Sequence, residues 1–551
     1  MLSVTEPTTI FRARAIHTLD PAVPSATAVA VRDGRILAVG EPTSLVSAYG
    51  GSIDDRLAEH VLLPGFVEAH SHLMEGAIWE FPYVGYFDRR DPDGRLWEGC
   101  SSILEVVDRL RELNASMADP DEPLIAWGLD PIYFPGDRLV AEHLDRVCER
   151  RPIFVMHASL HLATVNTALM RAAGIDAETQ SEGVPKDGNG DPIGELREPA
   201  SMALAGAPMF RFFSTMRKSE SIARFGELAR RVGVTTLTDL GTTSLADDDN
   251  VDRLLDVTSA NDFPARLSVF ATHNMIGADP DAAAQRLVDL RARSTDRMRF
   301  GHAKLVLDGS IQGFTARLRW PGYFGGEPNG IWVIPPEQVA PSLEVFHRAG
   351  ATVHVHCNGD EAVDVLLDAM ESVLAAYPRA DHRHTVQHCQ LTTPGQYRRM
   401  RALGMCANLF SNHVFYWGDQ HASSTVGPDR AARMNAAATA LRIGVPLSIH
   451  SDASVTPLGP LHVAWCAVNR LTASGVVLGP EERIGVAEAL RAITLGAAHQ
   501  LKLDDELGSI APGKRADFAV LTDDPFVVDP TELRNVGVAG TVLGGTLQVD
   551  L

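Results

Sequence analysis

From about residue 221 onward the chain alternates short apolar runs with amphipathic stretches, and nothing else in the sequence limits its fold so strongly. Strands are predicted at 234–239, 265–271, 300–307, 351–356, 384–388, 405–410 and 446–452. Ser221–Val232 reads as a helix before the first of these, and helical stretches such as 336–349, 361–376 and 431–442 separate most of the others. Adding the apolar run Val61–Val67 brings the count to eight strands. Eight parallel strands alternating with helices close into a (β/α)8 TIM-type barrel, an α/β fold whose chemistry sits at the carboxyl ends of the strands.

With Val61–Val67 as strand one, residues 73–220 become an insertion before strand two. That segment has strand-like runs of its own, Leu124–Trp127 and Ile153–Met156, and a turn-rich hairpin at 186–192. It is too long for a structureless loop, so an insertion subdomain over the barrel mouth is expected. Residues 10–62 read as short strands and turns, with Asp33-Gly34 available for a tight hairpin turn inside Ala28–Val39. Similar β character returns only at 516–521 and 541–549. Neither end supplies a stable sheet alone, so the two are expected to form one small β-sandwich together. The division expected is 1–62 plus 503–551 for the sandwich and 63–502 for the barrel, insertion included.

Bulk properties exclude more than they assign. The 49 basic against 70 acidic residues give a net charge of −21, which argues against nucleic acid or an anionic membrane as partner. The first sixteen residues show no basic stretch followed by an apolar core, so no signal peptide is expected. No apolar run reaches the ~18 residues of a membrane span. The six cysteines form no C-x-x-C pair, and a reduced, cytoplasmic compartment is the expectation. Cys357 and Cys389 each follow a histidine of interest; as the next residue on a strand faces away, both read as small packed side chains.

The strand ends carry the chemistry. On a strand alternate residues share a face, so His70 and His72 point the same way where strand one ends. Paired imidazoles suit zinc, although a lone His-x-His is a modest signal. Strand four holds Lys304 among apolar neighbours, strand five ends in His354 and His356, strand six in His388, and strand eight in His450 and Asp452. Any one of these can be innocent, since a buried histidine is usually satisfied by hydrogen bonding and a lysine usually snorkels. Their recurrence at the catalytic ends of a barrel points to a metal-dependent active site.

The same residues, with several others, form a pattern that resembles the amidohydrolase superfamily. Within it the chain resembles the YtcJ-like branch that includes N-substituted formamide deformylases. The matching pieces are Asp33-Gly34-Arg35-Ile36 with Val39-Gly40, and Pro64-Gly65-Phe66-Val67 leading to His70 and His72. They continue with His161 and Val165-Asn166, Asp308-Gly309-Ser310, His356 with Gly359-Asp360, His388, Ser451-Asp452, and the run Gly508 to Asp517. The resemblance implies that His70 and His72 hold the more buried of two zinc ions, with Asp452 a further ligand. His356 and His388 would hold the second ion, and Lys304, carboxylated on its amine, would bridge the two. A free ammonium cannot ligate, so Lys304 must lose its charge to take part. The alternative is a lysine paired with Asp308 beside a single-metal site. His354 and His450 are not required as ligands and are expected to line the site or orient its ligands. Gln387 stands where many relatives carry glutamate.

The reaction expected is hydrolysis of a C–N bond, in an amide, formamide or related small molecule, by metal-activated hydroxide with Asp452 as general base and then acid. The aromatics Phe415, Tyr416 and Trp417 after strand seven, with Trp79 and its neighbours after strand one, either line the site for an apolar or aromatic substrate group or pack the insertion against the barrel. His413 is the expected partner of the substrate carbonyl. His161 and Asn166 either reach the substrate from the insertion or make local hydrogen bonds. Two alternatives stand beside this reading: an esterase, lactonase or carbamate hydrolase on the same site, and a non-catalytic scaffold that keeps the barrel. A homodimer is compatible with such a barrel, although no residue demonstrates it.

Overall fold

In a computed structural model of the chain, residues 7–134, 136, 138–241, 245–273 and 279–549 are described. Residues 1–6, which carry part of the expectation about a signal peptide, lie outside them. The alternation becomes eight strands: β1 (Phe66–Val67), β2 (Val234–Leu240), β3 (Arg266–Thr272), β4 (Met298–Val306), β5 (Val353–Cys357), β6 (Thr385–His388), β7 (Cys406–Leu409) and β8 (Leu447–Ile449). Each pairs in parallel with the next in sequence order. The curl closes just past the strand ends, where Ser71 and Ala453 form a parallel bridge. There the Asp452 N–H donates to the His70 carbonyl at 3.1 Å and the His72 N–H to the Ala453 carbonyl at 2.7 Å. The result is an α/β barrel-like fold.

Strands covered on both faces read as continuous apolar and β-branched runs, and β2 is buried along its whole length. The covering helices show why the sequence alternates. Ser219–Arg231 buries Ile222, Phe225 and Ala229 at helical spacing, while Arg230 and Arg231 sit in its last turn, where cations favour the helix dipole. Pro394–Ala402 opens on a capping box between Thr393 and Gln396. No helix among the described residues is long and apolar enough to cross a membrane.

Three expectations are corrected. The run Val61–Val67 is not one strand: Val61–Pro64 pairs with Phe518–Leu521 and Thr9–His17, whereas only Phe66–Val67 joins the barrel. Both halves are buried, so the run looks continuous, but Gly65 turns the chain between two sheets. A Cβ at Gly65 would lie 2.1 Å from Thr235 Oγ1, so no larger residue fits there without displacing β2. The helix expected over 431–442 is two, Pro428–Ala432 and Ala437–Ile443, because Asn435 adopts the left-handed region (φ 49°) and donates its N–H to the Gln390 carbonyl. Finally, the strands of both chain ends are hydrogen-bonded into one eight-stranded sheet, not two stacked ones. That sheet curls until its hairpin turns meet, with Arg35 bridging Arg515 and the Gly545 N–H donating to Ala516. The Asp33-Gly34 turn has φ of 50° and 72°, the left-handed pair a tight primed turn needs.

The insertion carries a four-stranded sheet of Leu124–Leu129, Ile153–His157, Leu162–Val165 and Glu195–Arg197. The hairpin at 186–192 is present, with Lys186 bridging Pro192. One apolar cluster joins this sheet and the helix Ile103–Ser116 to Phe410 and Trp417 after β7, so the insertion packs on the carboxyl end of the barrel. The end sheet is fastened to the opposite end by Asp517, which accepts from Arg266 Nε (2.8 Å) and Nη2 (3.0 Å) at the start of β3.

Gly65→Ala is expected to destabilise the fold by about 1–3 kcal/mol through overpacking at the sheet junction. Urea unfolding measures this, and an unchanged midpoint would show that Thr235 yields freely.

Candidate metal centre

The closure of β1 against β8 brings the first ligands together. Past the end of β1 the chain carries His70 and His72, and past β8 it carries Asp452. Asp452 Oδ1 lies 3.2 Å from His72 Nε2 and 3.4 Å from His70 Nε2. Lys304 Nζ reaches up from β4 to within 3.2 Å of His70 Nε2. From β6, the His388 ring centroid sits 4.7 Å from that of His70 and 4.4 Å from that of His356 on β5, and its Nδ1 is 3.7 Å from Asp452 Oδ2. All six expected ligand residues line one cavity of about 210 Å³ at the carboxyl ends of the strands.

The electrostatics keep these groups in states that can ligate. Burial pulls His70, His356 and His388 well below the usual histidine range, so their rings are neutral, and neighbouring cationic groups add to this. Asp452 is pushed up by burial, but the hydrogen bond and charge of His72, with His450 and Lys304, outweigh that and hold its carboxyl below the ordinary value. Burial pulls Lys304 down to about 7 against the attraction of Asp452, which leaves a sizeable neutral amine near neutral pH. Lys304 is not paired with Asp308, as the alternative required. The Asp308 oxygens accept from the backbone N–H groups of Asn358, Gly359 and Arg317 at 2.9–3.0 Å.

The donor set fits a metal. Both nitrogens of the buried His388 lack a hydrogen-bond partner, which is costly for a buried imidazole that nothing engages. The ligand atoms of His70, His72 and Asp452 lie within 4.8 Å of one another, and so do those of His70, His388 and His450. His450, expected only to line the site, is thus also within ligand reach; its ring stacks on His70 at 4.6 Å and neither nitrogen has a partner. Nitrogen and carboxylate donors in this mixture suit zinc. His70 is oriented from below: its Nδ1 meets Gln387 Oε1 at 2.6 Å, so Nδ1–H donates and Nε2 turns its lone pair to the site. Gln387 in turn donates from Nε2 to His354 Nδ1 at 2.8 Å, which places His354 beneath the ligands as expected. His356 Nε2 lies 3.2 Å from the Gly309 carbonyl and 3.0 Å from Asn358 Nδ2, which fix the ring at the cavity wall.

The expected substrate residues divide. His161 and His413 both line the cavity. His161 Nδ1 is 2.7 Å from Glu198 Oε2; burial lowers its pKa, but the carboxylate outweighs that and raises it above the ordinary value. His413 Nδ1 is 3.0 Å from His421 Nε2, and burial keeps its ring neutral. Trp417, Phe415 and Trp79 do not line the cavity. Trp417 packs in the core beneath the insertion and donates to Asp130 Oδ2 at 2.7 Å; Phe415 stands among Tyr416, His462 and Trp465; Trp79 packs edge-on to Trp127. A run of aromatics after a strand does not reveal which way its rings face. Asn166 has the local role: it caps the helix Thr167–Ala173 and bonds the Cys148 and Arg151 carbonyls.

Sequence reasoning missed two features. Leu240, Val306, Phe410 and Val455 of the barrel supply part of the apolar wall of the cavity, and Leu160, Pro199, Met202, Met209 and Phe213 supply the rest from the insertion, where nothing in the local sequence marks them. Glu68, two residues before His70, is buried and accepts from Ser451 Oγ at 2.8 Å and Ser451 N–H at 3.2 Å, tying the ends of β1 and β8 together. Burial pushes its carboxyl up to about 8 despite those bonds. A charged residue inside an apolar strand run was the available signal.

Known proteins resemble the chain over nearly its whole length. The family model described as the Amidohydrolase family matches residues 57–549. Protein LONG AFTER FAR-RED 3 of Arabidopsis thaliana is 28% identical over 96% of this chain and 89% of its own length. The YtcJ protein of Bacillus subtilis is 26% identical (94% and 95%), and the N-substituted formamide deformylase of Arthrobacter pascens is 26% identical (97% and 97%). Among solved structures, an uncharacterized metal-dependent hydrolase from Pyrococcus horikoshii superposes with a TM-score of 0.70, covering 95% of this chain and 99% of that one. At 20% identity that likeness shows the fold.

Asp130 gives a test of the seam between insertion and barrel. Burial pushes its carboxyl up to about 7, so the folded protein holds this proton more tightly than the unfolded chain does. Its contribution to stability is full below about pH 4 and is lost as the pH rises through about 7. Asp130→Asn keeps an acceptor for Trp417 and loses the charge. Its unfolding free energy is expected to fall less than wild type between about pH 4 and 7; identical slopes would rule the titration out.

Proposed function

Because the chain belongs to the amidohydrolase family, we propose that it hydrolyses the C–N bond of a small amide, formamide or related compound bearing an apolar group. The observation that carries this is the convergence, in one buried cavity, of neutral imidazoles, an ionised Asp452 and an uncharged-leaning Lys304 from five strand ends. His70, His72 and Asp452 would hold one zinc ion and His356 and His388 a second, with carboxylated Lys304 between them. Carboxylation is favoured by a neutral amine, which attacks carbon dioxide, and the shifted Lys304 supplies one. What bound zinc supplies is Lewis acidity, which polarises a carbonyl oxygen and brings the pKa of water down to about 7.

The protein's own groups do the rest. Asp452, ionised at neutral pH, takes the proton of the attacking water on a carboxylate oxygen and returns it to the departing nitrogen. His72 Nε2 lies 3.2 Å from Oδ1, and sharing one ion with it would fix the orientation of that carboxylate. His413 would hydrogen-bond the substrate carbonyl from the wall of the cavity, and His161, whose pKa the Glu198 carboxylate raises, would offer a second donor. The apolar group lies against Met202, Met209 and Phe213; the two methionines form an adaptable surface that accepts substituents of varied shape. A cavity of about 210 Å³ suits a small molecule and not a polymer.

Asp452→Asn is expected to lower turnover about 10²–10⁴-fold while metal content, measured by elemental analysis, stays near that of wild type. Near-normal turnover would remove Asp452 from proton transfer. Intact-mass measurement under gentle conditions is expected to show one added carbon dioxide that Lys304→Ala abolishes; a wild-type mass without it points to a single-metal site. A screen of matched amides, formamides, carbamates and esters tests the bond type, and turnover of esters or carbamates with none of any amide or formamide would replace the C–N reading.

A further inference from the structure

The amino-terminal end of the barrel, opposite the metal centre, opens into a second and larger cavity of about 660 Å³. Its walls come from the starts of β2, β3 and β4 and from the segment 502–507. Against a net charge of −21 for the chain, this cleft is lined by an unusual concentration of arginine. Arg266 and Arg515 are neutralised by Asp296, Asp517 and Glu506. Arg291, Arg297 and Arg299 are not: among the described residues they make no ion pair and bond only main-chain carbonyls. Arg291 meets Gly301 (3.3 Å) and Ala349 (3.2 Å), Arg297 meets Phe263, and Arg299 meets Lys502 at 3.4 Å. Arg297 and Arg299 are half-buried, and the carboxylates that act on them, Asp296, Asp517 and Glu506, are already paired with Arg266 and Arg515. With Asp505 the only other acid on the wall, positive charge stays in excess and an anion from solution relieves its cost.

The backbone is shaped to present these groups. β4 contains an extra residue relative to β3, since Ser268 pairs with Arg299 but Phe270 pairs with His302. Gly301 sits in this bulge at φ 99°, and a Cβ there would come within 2.7 Å of Arg291 Nε. A bulge shifts the alternation of side chains, so that Arg299 and His302 line the same cleft. His302 is only 5% exposed, lies on the inner wall, and has no hydrogen-bond partner on either ring nitrogen. A buried polar side chain left unpaired at the end of a cationic cleft is the signature of a site completed by its ligand.

We propose that this cleft binds a small phosphorylated molecule, its phosphate held by Arg297 and Arg299 and its inner end hydrogen-bonded by His302. Guanidinium groups match phosphate oxygens in pairs, and an excess of positive over negative side chains on the cleft walls calls for a dianion more than for a single carboxylate. The volume exceeds that of phosphate alone, leaving room for an organic portion toward the rim.

Calorimetric titration of the full-length, metal-loaded protein at constant ionic strength tests this, with glycerol phosphate as probe and succinate as a dicarboxylate of equal charge. Glycerol phosphate is expected to bind with a stoichiometry of one, and succinate about tenfold more weakly or worse. Arg299→Gln and, separately, Arg297→Gln are each expected to weaken glycerol phosphate by about tenfold or more. His302→Phe, which removes the hydrogen bond at the inner end and is likewise expected to weaken glycerol phosphate, provides a third variant should either of these fail to fold by circular dichroism, and its binding as wild type would count equally against the proposal. The proposal is overturned if wild type shows no binding at millimolar glycerol phosphate, if the folded arginine variants bind as wild type does, or if succinate binds equally well.

Discussion

Two main-chain hydrogen bonds, from Asp452 N–H to the His70 carbonyl and from His72 N–H to the Ala453 carbonyl, hold the candidate site together. They close the eight-stranded curl at the one seam where no regular strand pairing exists, and in doing so they set Asp452 against both histidines. Glu68 reinforces the seam by accepting from Ser451. The order of causes matters. Pairing geometry fixes where the backbone of the first and last strands ends, and the ligand atoms follow because only one or two residues separate them from that backbone. A site built this way needs little side-chain entropy to be spent on assembly, since the scaffold has already fixed the approach.

Beneath the ligands the barrel interior is polar where a barrel of this kind is usually filled with branched apolar side chains. Gln387 links His70 to His354 and accepts from Asn408, which also accepts from Ser448. Such a network is stabilising only when its members are satisfied, and it restricts the tautomer of His70 to one. Glutamine is neutral in either state of the site, so at this position orientation is supplied without a further buried negative charge.

Much of the architecture was legible in the sequence because strands buried on both faces must be apolar along their length, and amphipathic helices must cover them. Seven of the barrel strands fall where periodicity placed them. The first did not, because burial alone does not say which sheet a residue joins; Val61–Pro64 and Phe66–Val67 are equally buried and belong to different sheets. The candidate ligand residues were legible for the same reason the strands were, being ionisable groups at the ends of apolar runs. The apolar residues that the insertion adds to the cavity were not. Met202, Met209 and Phe213 reach the cavity only through the packing of the insertion, whereas Trp417 and Phe415, prominent in the sequence, turn toward the cores beside it. Side-chain direction in irregular segments is a tertiary property.

The pairing of Val61–Pro64 with Phe518–Leu521 also bears on how the chain comes to be folded in time. During synthesis from the amino terminus, the strands preceding the barrel emerge first and must wait for almost the last residues before their sheet is complete. The seam between β1 and β8 waits only for Leu447–Ile449 and Asp452. The alternating units from β2 to β7 can assemble locally as they appear, but the end of β1 acquires its neighbours from β8 after all of them. Non-local pairing of this span is the slow kind, and it makes closure of the candidate site a late event in folding, ahead only of the completion of the end sheet.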